Sequence, residues 1–134
     1  MELSSSGIHI PFTEHLGIKV VEANREHAVV TLEKRIHLQN SLGGMHGGVL
    51  MTMLDLVMSW AVRGHYSEVA SVITVDMSIG FLKAGMGNVT AEARVLHAGK
   101  STAFCDSEAR DEHGALLAKA IGTFRLVADK KSSG

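Results

Sequence analysis

The chain has 134 residues, 13 Lys and Arg against 14 Asp and Glu, 46% apolar residues and a single Cys. Two independent cores in that length would each be marginal at about 65 residues, so one domain over 1–134 is expected, with 1–14 and 128–134 as fraying ends. A net charge of −1 and 4% aromatic residues exclude a nucleic-acid binder, and the lone Cys105 excludes an internal disulfide framework and fits a reducing, cytoplasmic setting.

The first residues lack the basic and apolar regions of a signal peptide. Residues 17–22 and 27–36 read as two strands joined by Asn24-Arg25-Glu26. In the second, Ala28, Val30, Leu32 and Ile36 share one face while Thr31, Glu33 and Arg35 share the other. Residues 37–48 then collect Asn40, Gly43, Gly44, Gly47 and Gly48, a composition that sustains neither strand nor helix interior. This is a loop leading into a helix.

The helix is expected over 49–63. Its polar residues Thr52, Asp55, Ser59 and Arg63 fall within an arc of roughly 80° at about 100° per residue. Everything else on it is apolar, so it must be wrapped on nearly all sides, with one narrow polar stripe. The apolar run 49–62 contains Asp55 and is too short for a membrane span of roughly 20 residues, so no membrane partner is expected.

After Gly64 the period becomes two. Ile73, Val75, Met77, Ile79 and Phe81 alternate with Thr74, Asp76, Ser78 and Gly80. Residues 89–95 alternate again, and 101–110 set Ala103, Cys105, Ser107 and Ala109 against larger or charged neighbours. Asp111-Glu112-His113-Gly114 is a turn, and Leu116, Ala118, Ala120, Gly122, Phe124 and Leu126 face inward on the last strand. The small inward residues of the last two strands let a helix backbone lie close. The fold class is α+β: an antiparallel sheet of about six strands wrapped around one long central helix.

The chemistry concentrates where loop meets helix. Glycines at a helix N-terminus leave backbone N–H groups unobstructed, and the helix dipole adds positive potential there, a setting that can hold a carbonyl oxygen gaining negative charge. The same glycines also serve simple loop–helix packing, and both readings stand. Asp55, a single carboxylate in so apolar a helix, is costly unless paired or used. None of the eight histidines forms a His-x-x-x-His pair and there is no Cys-His cluster, so neither metal nor cofactor is expected. Cys105 reads as a small core residue and the seven Met as gap-filling core.

The pattern Asn40-x-x-Gly43-x-x-His46-Gly47-Gly48, with Asp55 nine residues after the His, resembles the hotdog-fold acyl-CoA thioesterases of the phenylacetate-degradation (PaaI-like) group. Residues 74–79, 99–104 and 119–124 are similar to the family's later strands, so the resemblance runs over about 17–126. It implies that Asp55 is the catalytic carboxylate, as nucleophile or as base for water, and that the Gly47 N–H polarises the thioester carbonyl. It also implies that His46 and Asn40, counted with the catalytic residues, shape the loop and in some members contribute to binding or to orienting water, that Gly48 joins in binding substrate, and that the Thr74 hydroxyl assists the attacking water. Lys83 and Lys100, near strand ends, are candidates for the phosphates of coenzyme A, with Arg125 weighed beside them and solvated surface as the other reading of each. The implied partner is an acyl-CoA, and the implied assembly is a homodimer, within a homotetramer, whose sites are built from two chains. Two other functions share the fold: a non-catalytic acyl-thioester binding domain and a dehydratase or hydratase. The latter typically carries a proline-containing loop, and the only Pro here is Pro11.

Overall fold

The computed structural model describes residues 8–66 and 71–127. The ends 1–7 and 128–134, expected to fray, lie outside them. The element order is α1 (Pro11–Leu16), β1 (Lys19–Ala23), β2 (Ala28–Leu32), a 3₁₀ turn (Ile36–Leu38), α2 (Gly47–His65), β3 (Ser71–Phe81), β4 (Val89–Ala98), β5 (Thr102–Asp111) and β6 (Leu116–Val127). The strands form one antiparallel sheet in the order β1-β2-β4-β5-β6-β3, and α2 packs against every strand. This is the expected α+β arrangement, a sheet wrapped on one helix.

Ten side chains of α2 are buried, among them Met53, Leu54, Val57, Met58 and Val62 at 0% exposure. Each large apolar side chain so buried contributes about 1.5–3 kcal/mol, and no other element approaches that sum. Opposite them lie Ala103, Cys105, Ala109, Ala118 and Ala120, all buried. Gly122 marks the closest approach: a Cβ there would stand 3.1 Å from Met58 Cε and 3.0 Å from Phe124 Cε1. The small inward residues do bring the helix onto the sheet.

Three expectations are corrected. Residues 11–14 belong to α1: Pro11 opens the helix, Gly17 closes it in the left-handed conformation at φ 87°, and Thr13 and Leu16 are buried. Ile36 does not continue the face of Ala28, Val30 and Leu32; the ladder ends at Leu32, and Ile36 opens the 3₁₀ turn, 87% exposed. Ile73 and Val75 do not share a face with Met77. A bulge between Thr74 and Asp76 inserts one extra residue, so Val72 and Thr74 stand opposite Leu126 and Phe124, while Met77 and Ile79 stand opposite Gly122 and Ala120. All four therefore face the helix, and Ile73 and Val75 are left half exposed.

His27 ties the β1–β2 hairpin to β4. Its Nε2 lies 2.9 Å from Glu22 Oε2 and its Nδ1 meets Glu92 Oε2, which Arg94 also approaches. The hydrogen bond to Glu92, aided by both carboxylate charges, holds the imidazole pKa above its usual 6.5 against the opposing effect of burial. A raised folded-state value stabilises the fold fully below the unfolded pKa, and that gain disappears as pH rises through the folded value. His27→Gln should therefore cost under about 1 kcal/mol near pH 5.5, since the partners are half exposed, and almost nothing near pH 9. Urea unfolding of both proteins at the two pH values measures the difference.

Candidate functional site

The loop before α2 is organised by one side chain. Asn40 Oδ1 accepts from the N–H groups of Leu42 (2.9 Å) and Gly44 (3.1 Å), while the Asn40 N–H donates to Gly44 O (2.8 Å). The turn needs Gly43 at φ 85°, a conformation that side-chain-bearing residues rarely adopt. Met45, 2% exposed, anchors the loop, and its N–H donates to Gly85 O at 2.7 Å. His46 caps the helix: its Nδ1 accepts from the Gly48 N–H at 2.8 Å, which places the proton of the neutral ring on Nε2.

Counting donors along this segment isolates one group. The N–H groups of residues 42–46 and 48–50 each find a protein acceptor. That of Gly47, at the first helical position, finds none among the described residues. It is half-buried, and it points out of the positive end of a 19-residue helix. A Cβ at Gly47 would meet only the Phe81 ring at 3.6 Å, an ordinary contact, whereas one at Gly48 would press on His46 Nδ1 at 3.1 Å. Gly48 thus protects the cap, while Gly47 leaves space in front of its N–H.

Asp55 lies two turns further along α2. Its Oδ1 accepts from the Thr74 hydroxyl at 2.7 Å, a bond made possible by the bulge that turns Thr74 toward the helix. The two line a cleft of about 340 Å³ with the rest of the polar stripe, Thr52, Ser59 and Arg63. Apolar walls come from Met51, Leu56, Val72 and Met77. The remaining wall, Ile10, Phe12 and Thr13, belongs to the segment expected to fray. Its signal was present in the sequence: Pro11 at a helix start and Gly17 just past its end. Hydroxyl oxygens beside a carboxylate can hold and orient water, and the apolar walls fit an acyl or aryl chain.

The expected residues are not all brought together. Thr74 joins Asp55, and Asn40, His46 and Gly48 shape the loop around Gly47. Gly47, however, does not line the Asp55 cleft; a helix rise of 1.5 Å per residue puts the two about 12 Å apart. Lys83 lies in the 82–88 segment on which the loop rests, half paired with Asp111 at 4.0 Å. Lys100 sits in the β4–β5 turn at the opposite end of the sheet, so one protomer does not gather both lysines, and Arg125 is exposed on β6. Cys105 is fully buried, and burial, with Asp106 beside it, pushes its thiol up to about 12, which makes it inert. Among the described residues no group of three His, Cys, Asp or Glu has metal-binding geometry, and no helix is long and apolar enough to cross a membrane.

The thioesterase superfamily profile matches residues 42–118, which take in the loop from Leu42 onward, α2 and the strand carrying Thr74. The acyl-coenzyme A thioesterase PaaI of Escherichia coli is 33% identical over 96 residues, 69% of this chain and 66% of that protein. The 1,4-dihydroxy-2-naphthoyl-CoA hydrolase of Listeria monocytogenes is 30% identical over 119 residues, 88% of this chain and 97% of that one. The solved structure of the E. coli PaaI protein superposes with a TM-score of 0.85 at 23% identity, covering 95% of this chain and 91% of that chain, and so shares its fold.

Asn40→Ala should leave the Leu42 and Gly44 N–H groups without their acceptor and destabilise the protein by about 1–2 kcal/mol. Asn40→Asp keeps the acceptor oxygen and should stay within about 0.5 kcal/mol of the parent. Chemical denaturation of both variants checks the pair, and equal loss in both would locate the role of Asn40 elsewhere.

Proposed function

The chain belongs to the thioesterase superfamily and has its hotdog fold, and on that premise we propose that it hydrolyses acyl-CoA thioesters with Asp55 as general base. The observation that carries this reading is the Asp55–Thr74 hydrogen bond inside the cleft. The Thr74 hydroxyl has one proton and gives it to Asp55 Oδ1, so its lone pairs, like Asp55 Oδ2, can only accept. A water held by those two acceptors points both its protons at them and its lone pair away, toward a thioester carbon in the cleft. Asp55 takes one proton as the water oxygen bonds to that carbon. The carbonyl electron pair moves onto oxygen, and an unpaired N–H of the Gly47 kind stabilises it. Collapse breaks the C–S bond, and the departing CoA sulfur takes the proton back from Asp55, leaving acid and thiol. A thioester is electrophilic enough for this machinery to suffice without a Ser-His-Asp triad.

The same reading needs two chains. Gly47 and Asp55 of one protomer, about 12 Å apart, cannot both touch one carbonyl group. β3 is a sheet edge with one row of backbone groups unpaired, and a second copy laid against it would bring a second loop–helix junction toward the cleft. The site is then Asp55 and Thr74 of one chain with Gly47, shaped by Asn40, His46 and Gly48, of the other. Lys83, next to that loop, is the basic residue this reading gives to the CoA phosphates; Lys100 receives no role. Pairing into a homodimer, two of which form a homotetramer, and residence in the cytoplasm, where the unpaired Cys105 stays reduced, complete the proposal.

Asp55→Asn should lower kcat by at least ~10² with the fold intact, and Thr74→Val by ~10–10², while Thr74→Ser stays near the parent. Release of free thiol from a panel of acyl-CoAs reads this out, and Asp55→Asn activity within threefold of the parent would remove the carboxylate from the mechanism. A mixing experiment tests the shared site. Inactive Asp55→Ala and Gly47→Val chains refolded together give mixed dimers in which one site carries both defects and the other none. About a quarter of parental activity should return for random pairing and independent sites. Recovery near zero, with mixed dimers seen by mass, would place each site within one chain.

A further inference from the structure

The Asp55 cleft continues along α2 past Ser59 to Arg63, and its far end contains a cation with no counterpart among the described residues. This inference rests on the hydrolase reading, in which the cleft holds the acyl group. Around it the walls are apolar, and the two hydroxyls on the stripe are already used: Thr52 donates to Gly48 O at 2.8 Å and Ser59 to Leu56 O at 2.7 Å. Arg63 is half-buried, its Nε is buried with no hydrogen-bond partner, and no carboxylate among the described residues pairs with it. Its guanidinium stands 5.5 Å over the Trp60 ring, and it lies in the last turn of α2. The ring face and the helix dipole favour the positive charge at this place, but neither offers an acceptor to the Nε–H. Burial accordingly draws the guanidinium pKa down. Desolvated charges in folded proteins are ordinarily paired, so this one is built for an acceptor that arrives from outside.

We propose that Arg63 receives a carboxylate borne by the far end of the acyl group, which makes CoA thioesters of dicarboxylic acids the substrate class of this cleft. The rise of the helix sets Asp55 and Arg63 about 12 Å apart at Cα, and helical side chains lean toward the N-terminus, which brings the guanidinium nearer to the reacting carbon. An acyl chain of medium length spans that interval over Leu56, Val72 and Met77, with its thioester at Asp55 and its carboxylate at the fork of Arg63. A planar guanidinium binds a carboxylate through two parallel N–H bonds, and a neutral chain end would leave those donors desolvated and unpaired. The cleft therefore selects by charge at one end and reacts at the other.

The test compares suberyl-CoA and adipyl-CoA with octanoyl-CoA and hexanoyl-CoA on the parent and on Arg63→Met, Arg63→Gln and Arg63→Lys. The parent should favour the dicarboxylic thioesters by at least ~10-fold in kcat/KM. Arg63→Met, which keeps the packing on Trp60, should lose ~100-fold on them and stay within ~threefold on the unsubstituted chains, with Arg63→Lys intermediate. Arg63→Gln serves if the Met variant does not fold. A parent without the preference, or an equal loss on both substrate pairs, overturns the assignment. So does a fall in native mass on Arg63→Met without a change in preference, which would make the acceptor a second copy of this chain, or a Glu68→Gln variant that reproduces Arg63→Met, which would make the acceptor Glu68, the next carboxylate along the sequence. If the parent cleaves none of the four, the hydrolase reading fails by itself. Arg63 is then judged by calorimetric binding of suberate against octanoate: preference for suberate that Arg63→Met abolishes upholds the anion site, and equal binding removes it.

Discussion

A helix that is apolar around most of its circumference cannot stand on the surface of a small sheet; it has to be enclosed. The burial of Met53, Leu54, Val57, Met58 and Val62 imposes that condition, and the rest of the structure follows from it. The sheet must curl, so the strands beneath the helix carry alanines, a cysteine and a glycine where bulkier residues would hold it off. Enclosure also decides where polar chemistry is possible. Thr52, Asp55, Ser59 and Arg63 occupy the single arc left open, so the only polar groups on α2 between its ends share one cleft.

The beginning of the helix obeys a different constraint, that of backbone donors. The first turn of any helix has N–H groups without intrahelical acceptors, and proteins ordinarily satisfy them. Here the ring and carbonyl of His46, the side-chain amide and carbonyl of Asn40, and the carbonyls of Leu38 and Gly85 account for the donors around Gly47. The residual donor is an outcome of that arrangement. Loop and helix are held in place by the very bonds that leave Gly47 unpaired, so rigidity and availability come from the same contacts.

Much of this was legible in the sequence, for reasons that differ from element to element. The helix announced itself because its polar residues recur at three and four, and the site loop because four glycines and an Asn in one short stretch exclude regular structure. The small inward residues of β5 and β6 also read correctly, since alternation holds from Ala103 to Ala109 and from Ala118 to Phe124; ahead of Ala118 the register shifts, and Leu117 is buried where Leu116 was expected to face inward. The failures occur where periodicity is interrupted. The Thr74–Asp76 bulge leaves no mark in composition: Ile73, Val75, Met77, Ile79 and Phe81 form a perfect alternation, yet the backbone changes face in the middle of it. The short helix α1 was hidden by its length, because six residues hold too few positions for a period to show, although Pro11 and Gly17 bracket it. The distance between Gly47 and Asp55 follows from helix geometry alone.

The bulge in β3 has a consequence for comparing this protein with its relatives. Whether Thr74 points at Asp55 depends on the parity of the residues between it and the part of the strand packed under the helix, and not on which residue occupies position 75. At the bulge it is the number of residues, more than their side chains, that sets which face Thr74 takes. Closing one gap there in an alignment shifts the strand by one residue and assigns the wrong hydroxyl to the carboxylate. In this corner of the fold homology of function is a property of counting, and identity of letters is a poor guide to it.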